Sequence, residues 1–503
     1  MKSLFKAVAI VTIFSVITRA LGFLFRIFLS RKLGAVGLGM FQMASSILGL
    51  FLTLVSSGLP LSTAKMVSKY QTENNLAKKY KVVSSALVIA ILVAILSSIL
   101  IYVLKAFWGV ILTDNRAVEI LIILIPSILF SAIYAIFRGA LWGDGDYFNC
   151  GLTELIEQIV RFGLTFIFLL NITDTFIATK NSAIAFNLTC LISAIITIII
   201  YFKKCGKLHF KTGEYKHIIK SALPITGIRV ANSFVQPLTS LIIPNMLILS
   251  GFSSTEAIGS FGVIMGMTFP MLFVPMSVVG SLSMVLIPSI SSLMSKNNYA
   301  EIEKNISQSL QVSIFISIIF VVLYSSVGNL IGNVLYDNNL AGVLLQLAGV
   351  CVLPITLCNL TGSLLDALNL EVKSFINYII GSVVLFVCLI GLTPFIGINS
   401  VIVSFFMSMT TISLLNLRKI KTAVPNFNFK FFQCIFKYVL IAIPSTMLGS
   451  FVSNICLNFF TQFFAGLIGG LIAIGSAVIL ISVFNLYNLN QLKNFIKLKK
   501  KKT

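Results

Sequence analysis

Four arginines, Arg19, Arg26, Arg161 and Arg229, stand inside stretches that are otherwise apolar. A charge held at the centre of a bilayer costs at least about 2.5–3.5 kcal/mol, so each must face water, an acid or an anionic ligand. Arg19 and Arg26 are seven residues apart, two helical turns, and share one helix face with no acid in their own stretch. A guanidinium grips phosphate through a planar fork of donors, so this pair suits a wet cavity that receives an anion. Two other arrangements would also satisfy it: a salt bridge to an acid on another helix, or snorkelling of Arg26 to the membrane surface. Arg229, with no acid close to it in sequence, is a third candidate for the same cavity. Glu157 and Arg161, four residues apart, form a ready-made ion pair on one helix face and are expected to fix helix packing. Glu154, one turn earlier and nearer a membrane edge, is expected to be solvated.

Other chemistry finds little support. Asp144 and Asp146, in GALWGDGDYF, are far short of a calcium loop, which needs about five or six spaced ligands. They read as a solvated turn, and no metal site is expected. His209 and His217 lie among lysines without a catalytic setting, and no Ser-His-Asp, Walker or HExxH pattern occurs. The eight cysteines show no CxxC or paired framework and read as free, inert thiols, mostly in apolar segments. No cofactor motif is present, and the chain lacks the nucleotide-binding domain of an ATP-driven pump.

These residues must be positioned by membrane helices. Hydrophobic residues make up 57% of the 503, charged residues only 10%, and mean hydropathy is +1.01. Soluble domains carry about 25% charge, and runs of about 20 apolar residues match a hydrocarbon layer roughly 30 Å thick. We expect an all-α integral membrane protein of about fourteen spans, with the first pair covering 4–29 and 38–64. The first stretch is read as a span, not a cleavable signal, because it contains Arg19 and Arg26 and no small-residue cleavage site follows. Placing the N-terminus in the cytoplasm puts 28 Lys and Arg inside and five outside, as the positive-inside rule requires. Both ends are then cytoplasmic, in the plasma membrane. The formal charge of +22 is therefore topological and no sign of nucleic-acid binding; the Lys497–Lys502 tail is expected to meet anionic lipid headgroups.

The longest polar connections divide the chain into 1–202 (helices 1–6), a cytoplasmic joint at 203–220, 221–417 (helices 7–12), and 418–503, with helices 13–14 and the basic tail. FSVITRALGF and LPITGIRVANSF open the two halves, each with one arginine, as an internal repeat would. Helix breakers mark hinge candidates at Gly58 and Pro60 in SSGLP and at Pro270 and Pro275 further on. A static kink explains any one of these prolines as well as a hinge does.

Several stretches carry a family resemblance: TRALGFLFRIFLSRKLGAVGLGMFQM, SSGLPLSTAKMVS, FRGALWGDGDYFNCGLTELIEQIVRF, ALPITGIRVANSF and FGVIMGMTFPMLFVPMSVVGSLSMVLIPSISS. They resemble the multidrug/oligosaccharidyl-lipid/polysaccharide (MOP) exporter superfamily, and within it the polysaccharide-biosynthesis flippases of endospore-forming bacteria. The resemblance implies two six-helix lobes in a V around a central cavity, plus two C-terminal helices. It also implies translocation of a polyprenyl-pyrophosphate-linked saccharide by alternating access, of the peptidoglycan-precursor type and for the spore cortex. Lipid II flippases of the superfamily place arginines in the cavity; Arg19, within TRALGF, matches the first, and Arg26 falls one residue from the next. The chain departs from that pattern near Leu54–Gly58 and in GVIMGMTFP, which hold no arginine. Two alternatives stand beside this reading. Drug/cation antiport would favour buried acids over arginines. A membrane glycosyltransferase or polymerase would need carboxylates at a membrane face, and the outside acids are only Asp114, Asp174, Glu256 and Asp337.

Overall fold

The computed structural model describes residues 2–204, 206–209, 214–425, 427, 429 and 431–484. The Lys497–Lys502 tail lies outside the described residues. Among those described there is no strand, and the chain divides into two compact units, 1–262 and 263–503.

The first unit runs α1 (Lys2–Ser56), α2 (Gly58–Thr72), α3 (Leu76–Val103), α4 (Lys105–Ile111), α5 (Asn115–Leu124), α6 (Pro126–Gly143), α7 (Tyr147–Phe168), α8 (Thr175–Lys203), α9 (Tyr215–Ser233), α10 (Val235–Leu249) and α11 (Ser254–Gly262). The second opens on a π-helical turn, Val263–Thr268, then α12 (Phe269–Leu272), α13 (Val274–Ser295), α14 (Tyr299–Tyr336), α15 (Asn339–Ala348), α16 (Val352–Ala367), α17 (Glu371–Ile396), α18 (Asn399–Ala423), α19 (Phe431–Cys456) and α20 (Gln462–Val483).

Asn and Asp residues set many of the boundaries. Asn75, Asp114, Asp146 and Asp174 accept backbone N–H groups at the starts of α3, α5, α7 and α8, with Asp174 at 2.7 Å from Ile177 N. Such caps satisfy donors that a helix start leaves free. At the other ends Asn74, Asn171, Asn297, Asp337 and Asn369 take left-handed backbone angles that stop the helix.

Among the described residues, twelve segments are long and apolar enough to cross a membrane. One of them, Ile13–Thr72, is 60 residues long. At 1.5 Å per residue it would measure about 90 Å, three bilayer cores, so it must cross twice. The sequence places a loop between those crossings, but α1 stays helical there and is interrupted only at Gly34, with φ 63°. A left-handed φ is steeply unfavourable for a side-chain-bearing residue, so one glycine replaces the loop. α7 falls outside the twelve because Glu154, Glu157 and Arg161 interrupt its apolar run. Counting it and the second crossing of Ile13–Thr72 gives fourteen.

Close packing within each unit relies on small residues, since lipid gives helices no hydrophobic reason to associate. Gly139 and Gly143, four apart on α6, face the backbone of α2: a Cβ on either would lie 2.6 Å from Pro60 O or Ala64 O. Gly58 opens α2 against α9, where a Cβ would meet Ala222 O at 2.5 Å. Hydroxyl pairs join neighbouring elements of the same unit, Ser46–Ser240 at 2.6 Å, Ser62–Ser221 at 3.0 Å and Ser233–Thr53 at 3.1 Å. In the second unit Asn377 and Asn416 bond at 2.9 Å and Asn416 donates to Thr361 at 3.2 Å, linking α17, α18 and α16. Gly449 and Gly469 let α19 and α20 approach closely.

Candidate functional site

Two consecutive helices bring the chemistry together. α6 and α7 form an antiparallel hairpin about the turn at Gly143–Asp146, so residues equally far from the turn face each other. Arg138 on α6 thereby meets Glu154 on α7, Nη2 to Oε2 at 2.5 Å. One turn deeper on α7, Glu157 receives Arg161 in the same way. The Arg161 guanidinium also lies over the Phe186 ring of α8, 5.3 Å from its centroid. Arg138 sits over Tyr134 at 6.0 Å.

All of these groups except Glu154 wall a cavity of about 610 Å³ within the first unit. Its basic lining is Arg138 from α6, Arg161 from α7 and Arg229 from α9; the single acid is Glu157. Ser56, Ser57 and Pro60, at the break between α1 and α2, close another side. Arg229 is exposed, and its guanidinium has no hydrogen bond or ion pair among the described residues. Five lining residues keep a buried polar atom without a hydrogen-bond partner: Ser57 Oγ, Tyr134 Oη, Arg138 Nε, Arg161 Nε and Ser193 Oγ. Buried donors are almost always satisfied, so such a cluster marks a place for water or an anion. Each paired arginine spends one nitrogen on its glutamate and keeps donors for a further acceptor.

The structure distributes the sequence candidates unevenly. Arg229 lines the cavity, whereas Arg19 and Arg26 do not. Arg19 is exposed on α1. Arg26 is half-buried there and not without a partner. Glu157 and Arg161 form an ion pair that also faces the cavity. Gly58 and Pro60 sit at the α1–α2 break, and Pro60 lines the cavity. Pro270 opens α12 directly after the π-helical turn and Pro275 opens α13, both in first-turn positions where proline's missing N–H costs nothing.

Arg138 lies within α6, which continues five residues beyond it. Two expectations need correction. Glu154 is not simply solvated, since Arg138 holds it. Asp144 and Asp146 are not left to solvent either: Lys79 reaches Asp144 at 2.6 Å and Lys204 reaches Asp146 at 3.5 Å. Lys79 is 7% exposed and also donates to Gln71 at 3.0 Å, so the α6–α7 turn is clamped to α2, α3 and α8. No group of three or more His, Cys, Asp or Glu suited to a metal occurs among the described residues. The missed cavity residue, Arg138, was readable as the mate of Glu154, because the two stand eight residues either side of Asp146.

Known proteins show the same organisation. The chain is 24% identical over 425 residues to stage V sporulation protein B of Bacillus subtilis (strain 168), covering 81% of this chain and 82% of that protein. It is 22% identical over 416 residues to the lipid II flippase MurJ of the same organism, covering 76% of each. A solved structure of a lipid II flippase MurJ, in an inward closed conformation, matches with a TM-score of 0.73 and 19% identity, covering 94% of this chain and 98% of that one. Residues 4–294 match the family described as polysaccharide biosynthesis protein. A multi-pass membrane chain that matches this family over more than half its length belongs to the polysaccharide biosynthesis protein family.

Proposed function

We propose that the protein is a flippase for a lipid-linked saccharide, and that the cavity walled by Arg138, Arg161 and Arg229 receives the anionic diphosphate of its carrier lipid. The observation that carries this reading is the lining itself: three guanidiniums, one carboxylate, and buried donors on two of the guanidiniums left without partners. In a partly desolvated cavity such donors offset the loss of hydration that a diphosphate would suffer in hydrocarbon. A cation antiporter would need carboxylates free to bind the cation, and both Glu154 and Glu157 are held by arginine.

Arg19 and Arg26 enter the proposal as cations on the path to the cavity. Arg19 lies fifteen residues before the Gly34 break and Leu52, a cavity-lining residue, eighteen after it. At 1.5 Å per residue these are about 22 and 27 Å along the two crossings, hence similar depths once the chain turns back. Alternating access would use the α1–α2 break at Gly58 and Pro60 and the π-helical turn with Pro270 and Pro275. Likeness to stage V sporulation protein B and to the lipid II flippase supports a peptidoglycan-type precursor, delivered for the spore cortex.

The test is transport of defined polyprenyl-diphosphate saccharides in proteoliposomes by the intact protein and by Arg229→Gln. Loss of transport in a variant of unchanged abundance supports the reading, and undiminished transport by Arg229→Gln overturns it. Deleting the gene should leave growth intact and stop cortex formation; a normal cortex would remove that substrate.

A further inference from the structure

A second amphipathic groove lies in the other unit, at the end of α18 and the start of α19. Leu414, Leu417, Arg418 and Lys421 are spaced i, i+3, i+4 and i+7, so they form one face of the last two turns of α18. The connection to α19 folds Phe427 and Phe429 against that face, and Phe431 and Phe432 continue it, enclosing about 490 Å³. Leu417 and Phe427, each 9% exposed, anchor its floor in the core of the unit. The rings above them run in contact, Phe429 to Phe431 at 6.4 Å and Phe431 to Phe432 at 5.6 Å between centroids, and Phe432 is 72% exposed. Arg418 and Lys421 are exposed at the mouth, with no ion pair or hydrogen bond to either side chain among the described residues, and no lining residue is acidic.

We infer that this groove binds the headgroup and glycerol region of an anionic phospholipid. The pattern has two parts that one ligand must satisfy together. Two unneutralised cations ask for an anion, and guanidinium with ammonium fits a phosphate oxygen cluster. A row of phenylalanines ending in an exposed ring asks for an apolar neighbour, which a free phosphate lacks. The site also stands where such a molecule lives: α18 is a membrane-crossing helix, and its terminal turn lies at headgroup depth on whichever side it emerges. This groove shares no residue with the arginine-walled cavity, so it stands or falls independently of the transported substrate. Bound lipid would tie the end of α18 to the start of α19, which leads into the final helix pair.

The experiment is native mass spectrometry of the full chain in detergent, titrated with phosphatidylglycerol, with phosphatidylcholine, and with inorganic phosphate as competitor. A cation near a lipid surface contributes about fivefold, so Arg418→Gln/Lys421→Gln should weaken phosphatidylglycerol binding by about 30-fold at its tightest site. The charge-preserving Arg418→Lys/Lys421→Arg should keep most of the affinity, which separates lost charge from lost folding. Phosphatidylcholine should bind that site at least tenfold more weakly, and inorganic phosphate should not displace the lipid. Equal lipid affinity in the intact protein and the Gln/Gln variant would overturn the assignment, as would loss of binding in the charge-preserving pair. So would equal affinity for the two lipids, which marks a merely apolar groove, or displacement by phosphate, which marks a simple anion site.

Discussion

Arg161 is held between two duties, since its Nη2 binds Glu157 while the residue also lines the cavity and keeps a buried Nε without a hydrogen-bond partner. Its side chain is 22% exposed and that of Glu157 19%, so the pair is neither a surface bridge nor fully buried. Removing one member of a buried pair costs about 3–5 kcal/mol because the other charge is stranded, and partial exposure here reduces that to about 1–3 kcal/mol. Arg161→Gln should therefore lower abundance in the membrane. The double variant Glu157→Gln/Arg161→Gln should restore abundance, measured by immunoblot, while transport stays lost. Restored transport in the double variant would reduce the pair to a packing device. Arg229 has no such partner among the described residues, so Arg229→Gln should leave abundance and melting temperature unchanged while transport falls. The sequence singled out Arg229, Glu157 and Arg161 because unpaired or i,i+4 charges in apolar runs are conspicuous. It hid Arg138, because hydropathy ends the span at residue 137 and a polar side chain just beyond reads as loop.

At the scale of elements, the cavity depends on how closely α6 can lie on α2. Gly139 and Gly143 provide that approach, and the ion pairs at the turn, Lys79–Asp144 and Lys204–Asp146, fix the hairpin that carries Arg138, Glu154, Glu157 and Arg161. Overpacking a tight contact costs about 1–3 kcal/mol. Gly143→Leu should thus lower the melting temperature of the detergent-solubilised protein by several degrees and weaken transport with it. Gly145, whose φ of 75° has open space around it, should instead penalise a side chain through backbone strain alone. Gly145→Asn, which tolerates the left-handed region, should be milder than Gly143→Leu; a reversed order would remove the α2–α6 contact as the limiting one. Helix existence was legible from apolar runs, because the bilayer dictates both length and composition. The merging of the first two helices through a kink at Gly34 was not, since the polar Ser30, Arg31 and Lys32 before it read as a loop.

For the molecule as a whole, charge asymmetry predicts the orientation, and an even number of crossings would place both termini on one side. Exposed positions on the chain let that side be read experimentally. Lys419 is exposed at the end of α18, in a stretch whose basic residues predict a cytoplasmic position. Thr173 is exposed in the short connection between α7 and α8, among residues assigned to the outside. The seven described cysteines are all free, so a cysteine-less background breaks no disulfide among them. In that background Thr173→Cys should react with a membrane-impermeant maleimide in intact cells, and Lys419→Cys should react only after permeabilisation. Seven of the candidate spans, from Thr175–Lys203 to Asn399–Ala423, separate the two positions. That number is odd, so labels on opposite faces also test the count between them. If one of those seven were not a true span, the two labels would report the same side. Reaction of Lys419→Cys in intact cells with protection of Thr173→Cys would invert the molecule, and would turn the proposed lipid groove toward the outer leaflet.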